Sequence, residues 1–169
     1  MKGFTWIKSK LAVAFANHFS KAYNKLALKH VKEHRDYPEA TLTKPLSQSR
    51  LALISSAGVH LKSDTPFDVD NPAGDPSIRF IPANTLEEKL TVTHIYYDTK
   101  HAKVDPSIVF PLKQLNELAH KGVIGSVANA NVGLNGGIID TTRVETESIP
   151  AVVNRFKEQK VDAALLVPG

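Results

Sequence analysis

Hydrophobic residues in the first part of the chain follow the period of one helix. In residues 4–34, apolar side chains recur every three or four positions, and lysines are distributed mostly away from that stripe. This pattern predicts an amphipathic helix that makes residues 1–34 a basic extension. Residues 35–49 follow, with Pro38 and Pro45 among Ser and Thr residues, and they predict a linker.

Residues 50–169 instead alternate short apolar runs with helical patterns. Strands that are apolar throughout and alternate with helices predict an α/β domain: a mostly parallel sheet with flanking helices, in a Rossmann-like three-layer arrangement. The stretch 62–91 is rich in Asp, Pro and Asn and predicts irregular structure. The predicted strands are Leu51–Ser56, Thr91–Tyr97, Val123–Val132 and Val161–Val167, and the predicted helices are Leu112–Lys121, stopped by Gly122, and Ile149–Lys160, with Ser148 as N-cap.

Composition agrees with one soluble domain and adds a charge asymmetry. The chain has 169 residues, of which 42% are hydrophobic and 22% charged, and it contains no cysteine. Residues 1–50 hold ten Lys/Arg against three Asp/Glu, whereas residues 51–169 hold eleven against fourteen. The basic extension therefore suits docking on a neighbouring subunit or on the body, with contact to a membrane surface as the alternative. With no apolar run long enough to span a bilayer and no signal peptide, we expect a cytoplasmic protein that does not bind nucleic acid.

Polar residues follow the first predicted strand, at the edge of a parallel sheet where ligands usually bind. His60 could act as a general acid or base, while Lys62, Ser63 and Asp64 could bind a carboxylate substrate. The alternative is structural: Asp64 caps a turn and His60 is a hydrogen-bonded loop residue. The spacing alone leaves both interpretations open.

Two further groups follow later strands. Asp98 ends the second strand, and its spacing to His94 could suggest a metal pair, as could His101 with Asp105, but a strand followed by a polar turn explains both, and we predict no metal site. After the third strand, Asn131–Gly137 contains glycines that permit close approach to a ligand or to another chain. It lacks the order of a dinucleotide fingerprint, and a turn without a ligand remains open. These glycines are Gly133, Gly136 and Gly137.

The last predicted strand leads directly into Pro168-Gly169, where the chain stops. A central strand without a following helix lacks the element that would cover it. We therefore expect a domain that is truncated at its C-terminus.

Several stretches of the body resemble the D-proline reductase and glycine/sarcosine/betaine reductase (selenoprotein B) family. The resemblance covers about residues 50–169 and leaves out the first forty-nine. Asn135 departs from it, at a position that is more often apolar in the family. The stretches are Ser55–Asp64, Gly74–Pro82, Val92–Asp98, Val109–Leu112, Leu115–Ala119, Gly122–Gly125 and Val161–Gly169.

The resemblance implies a subunit of a reductase that cleaves a C–N bond of an amino acid or amine. It places the family's catalytic selenocysteine or cysteine immediately after Gly169, so no nucleophile lies within the chain and the isolated chain is expected to be inactive. It implies no cofactor bound by this chain, a pyruvoyl group on a partner subunit, a thioredoxin-like or dithiol electron donor, and an oligomer. A non-catalytic binding or assembly module on the same fold is the alternative. The candidate substrate-binding residues are Gly58, His60, Lys62, Ser63, Asp64, Asp98, Gly133, Gly136 and Gly137.

Overall fold

The computed structural model describes residues 39–71, 73–138 and 141–169, together with six positions between Leu11 and Lys21. Within those six, the Phe19 N–H donates to the Phe15 carbonyl at 2.8 Å, as in a helical turn, and the two rings stack at 5.4 Å. The rest of the helix predicted over residues 4–34 lies outside the described residues. In the described residues, no helix is both long and apolar enough to cross a membrane.

A five-stranded sheet is built around the first strand. Leu51 pairs in parallel with both Val127 and Ala163, so the later strands flank it on opposite edges. The antiparallel outer strand is the exception to parallel pairing. This sheet and its flanking helices confirm the predicted α/β fold with a mostly parallel sheet. The strands are β1 (Arg50–Ser55) in the middle, β5 (Ser126–Val127) and β6 (Asn131–Leu134) along one edge with β3 (Ile78–Ile81) beyond them, and β7 (Ala163–Val167) along the other.

The third predicted strand, Val123–Val132, is broken into β5 and β6 by the side chain of Asn131. This fully buried amide accepts the Leu53 N–H at 2.9 Å and donates to the carbonyls of Ala128 and Ile81 at 2.9 and 3.2 Å. The side chain thus satisfies backbone groups that an unbroken ladder would have paired. Sequence periodicity does not show such a break.

Two short strands form a separate antiparallel sheet, β2 (Val59–Leu61) with β4 (Leu90–Val92). The strand predicted over Thr91–Tyr97 therefore ends early, and irregular backbone follows, because the Tyr96 N–H bonds to the His94 ring instead of to a strand. Part of the predicted loop Gly58–Asp64 is β2. Residues 62–91, predicted irregular, contain β3 and most of β4.

Among the residues described from 39 onward, three α-helices accompany the sheets: α1 (Lys100–Val104), α2 (Leu112–His120) and α3 (Ile149–Glu158). The α2 prediction is confirmed, including the stop at Gly122, whose φ is +69°. Ser148 occupies the predicted N-cap position of α3, with Pro150 in the first turn. Its hydroxyl does not cap the helix, because it donates to the Pro76 carbonyl, and a π-helical turn, Val144–Ser148, precedes the helix. Short 3-10 turns occupy Leu46–Gln48, Glu87–Lys89 and Pro106–Ile108.

The core lies where β1, β2, β4 and α2 meet. It includes Leu53, Val59, Leu90, Phe110 and Leu112, each at most 2% exposed. β2 begins at Val59, two residues after Ala57. Because β2 is packed in this core, the segment that connects it to the carboxyl end of β1 is also held in place. The residues that follow β1 are therefore supported by the buried core.

The last strand is an edge strand, which corrects the prediction of a buried one. β7 pairs with β1 alone among the described strands, and Leu165 and Leu166 are 41% and 70% exposed. Its apolar sequence is thus partly uncovered.

Candidate functional site

The carboxyl ends of β1, β6 and β7 come together at one residue, Ser56. The Gly169 N–H donates to the Ser56 hydroxyl at 3.1 Å, and the Ser56 N–H donates to the Val167 carbonyl at 3.2 Å. From the other side, the Gly136 N–H donates to the Ser56 carbonyl at 2.7 Å. We call the segments Ser56–Gly58, Asn135–Gly137 and Pro168–Gly169 the rim.

Close backbone packing explains three of the glycines at or near the rim. Gly58 has φ +76°, and a Cβ there would lie 2.1 Å from the Thr93 carbonyl oxygen. A Cβ on Gly133 would lie 1.9 Å from the Val59 oxygen, and one on Gly169 would lie 2.2 Å from the Cα of Ala57. Gly58 and Gly133 therefore allow close packing between segments of the same chain, a role that was not predicted for them.

The glycine-rich loop keeps its two later glycines at the surface of the rim. The buried Asn135 turns the loop, because its Oδ1 accepts the Gly137 N–H at 2.8 Å. Gly136 is exposed, and Gly137 lies under the ring of Tyr96, which a Cβ would approach to 2.9 Å. These two positions are the predicted substrate-binding glycines that a ligand at the rim could reach.

His60 lies in β2 and is only 2% exposed. Its Nδ1 bonds to the Leu61 carbonyl at 2.7 Å, its Nε2 to the Thr93 hydroxyl at 2.9 Å, and its ring meets Phe67 edge-on at 5.7 Å. Both nitrogens are therefore occupied inside the protein. This geometry favours the hydrogen-bonded structural interpretation over the acid–base one.

The remaining residues of the first cluster lie beyond the far end of β2. Asp64 Oδ2 accepts the Leu61 N–H at 3.0 Å, which is the turn-capping alternative, and Ser63 is exposed. Lys62 lines a groove of about 620 Å³ that also contains Lys103 and Lys113. Glutamates line the same groove, and Glu87 Oε1 is buried in it without a partner among the described residues.

Asp98 is exposed and accepts the Lys100 N–H at 3.0 Å, so it shapes the start of α1. Asp105 is likewise occupied by Ser107. Across the described ranges, no three His, Cys, Asp or Glu side chains are grouped as a metal site would require. The polar-turn interpretation accounts for both carboxylates.

Tyr97 and His94, which were not among the predicted substrate-binding residues, lie beside the rim. The Tyr97 hydroxyl donates to the Ala57 carbonyl at 2.9 Å, and its ring centroid lies 4.7 Å from that of His94. The Cβ of His94 would be 3.5 Å from a Cβ on Gly58. Both residues lie in Val92–Asp98, one of the stretches that resemble the family, and this resemblance was the signal in the sequence that could have identified them. The alternation of polar and apolar residues predicted only a strand there.

Burial decides the protonation of both aromatic groups. It lowers the pKa of His94 to about 4 and raises the pKa of Tyr97 to about 12. Near neutral pH the rim therefore presents a neutral imidazole and a neutral phenol. Neither carries charge, and the phenol O–H already donates to the Ala57 carbonyl.

Comparison with known proteins supports the resemblance. Residues 27–168 match the profile of the family described as glycine/sarcosine/betaine reductase selenoprotein B. The chain is also similar to the D-proline reductase subunit gamma of Acetoanaerobium sticklandii, with 37% identity over 128 residues, which cover 76% of this chain and 52% of that protein. The chain thus spans about half the length of this curated relative. No solved structure matches it at a significant level.

The match to the family profile begins earlier in the chain than the sequence resemblance predicted. It starts at residue 27, so the expectation that the first forty-nine residues lie outside the family is wrong for the second half of that segment. It ends at residue 168, at the rim. Since the match covers most of the sequence and agrees with the sequence resemblance, the chain belongs to the glycine/sarcosine/betaine reductase selenoprotein B family.

Proposed function

We propose that this chain is the N-terminal part of the catalytic subunit of an amino-acid or amine reductase that cleaves a C–N bond. Family membership and similarity to a D-proline reductase subunit support this function. D-Proline is the first substrate to test, followed by glycine, sarcosine and betaine.

The placement of Gly169 carries the proposal. Its N–H is fixed on Ser56, and its Cα packs against Ala57 too closely to accept a side chain. A residue that followed Gly169 would therefore start at the rim, beside Ser56 and Ala57. A selenocysteine or cysteine at that position would emerge where ligands bind to parallel sheets.

The chemistry that follows is that of a nucleophile. A selenolate or thiolate attacks the α-carbon, the C–N bond breaks, and its electron pair leaves with the nitrogen, which takes up a proton. A thiol then releases the carbon from the nucleophile, the carbon gains a proton, and a dithiol or thioredoxin-like donor reduces the resulting bond between the two chalcogens. A pyruvoyl group on a partner subunit would supply an electrophilic carbonyl for binding the substrate amine.

The described residues contribute shape and hydrogen bonds to this scheme. Gly136 is exposed at the rim, Gly137 lies under the Tyr96 ring, and Ser56 holds the end of β7 in place. Gly58 and Gly133 hold the strands close enough to form the rim. The groove at Lys62 lies at the far end of β2, so we place the substrate at the rim instead.

A non-catalytic binding or assembly module is the second candidate. The observation that favours it is the burial of His60, the first candidate acid–base residue, with both nitrogens occupied. In that case the rim would hold a ligand or partner without turnover.

The codon after Gly169 separates the two candidates. UGA followed by an open frame that encodes a cysteine three residues later supports the reductase, whereas an ordinary stop without a downstream frame supports the module. As a biochemical check, the 169-residue chain with dithiothreitol should not reduce D-proline, because it contains no cysteine. The product of the extended frame, assembled with its pyruvoyl-containing subunit, should do so. Turnover by the 169-residue chain alone would overturn the placement of the nucleophile.

A further inference from the structure

His94 contains a buried nitrogen that has no hydrogen-bond partner among the described residues. Its Nδ1 accepts the Tyr96 backbone N–H at 3.1 Å, so the proton of the neutral ring resides on Nε2. That Nε2–H is the buried group without a partner. Because buried donors are nearly always paired, an unpaired one at a candidate site requires an explanation.

The position of His94 connects this donor to the rim. Its Cβ packs beside Gly58, next in sequence to Ala57, which contacts Gly169. Consecutive Cα atoms are about 3.8 Å apart, so the imidazole lies within a few residue spacings of the end of β7. Tyr97 keeps it there, because that ring packs on the imidazole and is anchored through its hydroxyl to Ala57.

Tyr96 packs against both Gly137 and His94. Its ring lies over Gly137 and meets the His94 ring edge-on at 6.1 Å. It is 42% exposed, and its hydroxyl forms no hydrogen bond within the described residues. An exposed side chain held by contacts alone changes rotamer within nanoseconds. Tyr96 is therefore less constrained than Tyr97, whose hydroxyl is anchored by a hydrogen bond.

We propose that His94 is a ligand-binding residue of the rim, and that its Nε2–H donates to the carboxylate of an amino-acid ligand when the Tyr96 ring moves off Gly137. The identity of the ligand rests on the proposed function. The assignment of the donor rests on the geometry of His94.

A carboxylate fits this corner better than other acceptors. The hydrogen bond of a neutral donor to a charged oxygen is shorter and stronger than one to a neutral oxygen. The side chains of the three rim segments include no Lys, Arg, Asp or Glu, so neutral donors would bind an anion there without repulsion from a side-chain carboxylate. The imidazole is also neutral near pH 7 in the unliganded protein, since burial lowers its pKa to about 4, and its proton lies on Nε2.

Histidine ¹⁵N NMR of the 169-residue chain tests the assignment directly. We expect the His94 spectrum to show the Nε2–H tautomer, and millimolar D-proline to shift its Nε2 resonance. D-Prolinol, which lacks the carboxylate, should leave that resonance in place. His120, exposed on α2, serves as the internal control and should not respond to either compound.

Variants then separate ligand binding from a structural role. His94→Phe should weaken D-proline binding by about tenfold or more, as expected for loss of a hydrogen bond to a charged group. It should leave D-prolinol binding unchanged. His94→Gln, whose amide can replace the Nε2–H, should recover part of the affinity, and Tyr96→Ala should raise it. His120→Phe is the matched control and should change nothing.

The outcomes distinguish this inference from the proposed function. If D-proline binds equally well to the His94→Phe variant, or if that variant weakens D-prolinol equally, the carboxylate contact is refuted while the reductase remains. If acetate shifts the His94 resonance but D-proline does not, the His94 assignment is supported and the proposed substrate is overturned. No response to any carboxylate overturns the inference.

Discussion

At the scale of single residues, two glycines with similar backbone angles face different surroundings. Gly58 has φ +76° and Gly122 has φ +69°, so both avoid the strain that a side chain would add. A Cβ on Gly58 would collide with the Thr93 carbonyl, whereas nothing lies within 4 Å of one on Gly122. The pair therefore separates conformational strain from steric exclusion at the rim.

We expect Gly122→Ala to lower the free energy of unfolding by about 1–2 kcal/mol, the cost of a left-handed residue with a side chain. Gly58→Ala should cost about 3 kcal/mol or more, because the collision forces β2 or the Thr93 segment to move. Urea unfolding followed by circular dichroism measures both. Equal losses in the two variants would show that the close contact at Thr93 adds nothing.

His94 should also make the stability of the fold depend on pH. Its pKa is about 4 when folded and about 6.5 when unfolded, so the unfolded chain binds more protons between these values. The free energy of unfolding therefore has its full value with respect to this group above about pH 6.5, and it falls as the pH is lowered towards 4. After discounting for partial exposure of the ring, this amounts to about 1–2 kcal/mol.

The measurement is the free energy of unfolding at pH 7 and pH 4.5 for three proteins. The original chain and the His120→Phe control should both lose this increment at the lower pH, and His94→Phe should lose less. If His94→Phe and the original chain lost the same amount, the buried neutral imidazole would not be responsible.

At the scale of elements, β7 combines the sequence of a central strand with the position of an edge. Its inner side is paired along its whole length with β1, while Leu166 is 70% exposed. Exposed apolar edge strands favour pairing with other chains. We expect this edge to cause self-association of the 169-residue chain, and a continuation of the chain over it to raise stability and solubility together.

Leu166→Lys tests the edge without disturbing the core. The change should leave the free energy of unfolding within about 0.5 kcal/mol, since the side chain is mostly in solvent, and should shift sedimentation profiles towards monomer. Leu118→Lys on α2, at a position 38% exposed, is the matched control and should not reduce association. Association that persists in Leu166→Lys, or that disappears in both variants, would place the contact elsewhere.

At the scale of the whole molecule, the spacing of hydrophobic residues correctly predicted those elements that bury one continuous face. The run at β1 and the apolar face of α2 appear where the pattern placed them, because each buries one continuous set of side chains. Tertiary hydrogen bonds decided the rest. Asn131 breaks a strand by bonding across three segments, and the His94 ring captures a backbone N–H that a strand would have used.

The candidate site shows the same division. The directional rule for parallel strands predicted that Gly58, the glycine-rich loop and Gly169 would share one edge, and these segments do meet at Ser56. The rule could not show that the chain turns back after Ala57 into a second sheet, which removes His60 and Lys62 from that edge. Nor could it identify the Nε2 of His94, which is buried and has no partner in the part of the chain that the structure describes.

The boundary between extension and body is a further property of the whole chain. The final residues of the predicted linker pack on the body: Lys44 pairs with Asp162 at 2.8 Å, and the Gly125 N–H donates to the carbonyls of Leu46 and Ser49. Ser49 is fully buried. The body therefore begins several residues before β1, inside the segment 35–49.

Two deletions locate this boundary by experiment. Removing residues 1–34 should keep the melting temperature within about 2 °C and change oligomerisation or surface attachment instead, because the contacts of residues 44–49 remain. Removing residues 1–49 should lower it by about 5–10 °C, since the lost hydrogen bonds and buried Ser49 contribute about 2–3 kcal/mol and each kcal/mol corresponds to about 2–4 °C at this size. Differential scanning calorimetry and sedimentation measure the two effects separately. A fall of about 10 °C in the shorter deletion would instead make the basic extension, in which the family match begins, part of the folded core.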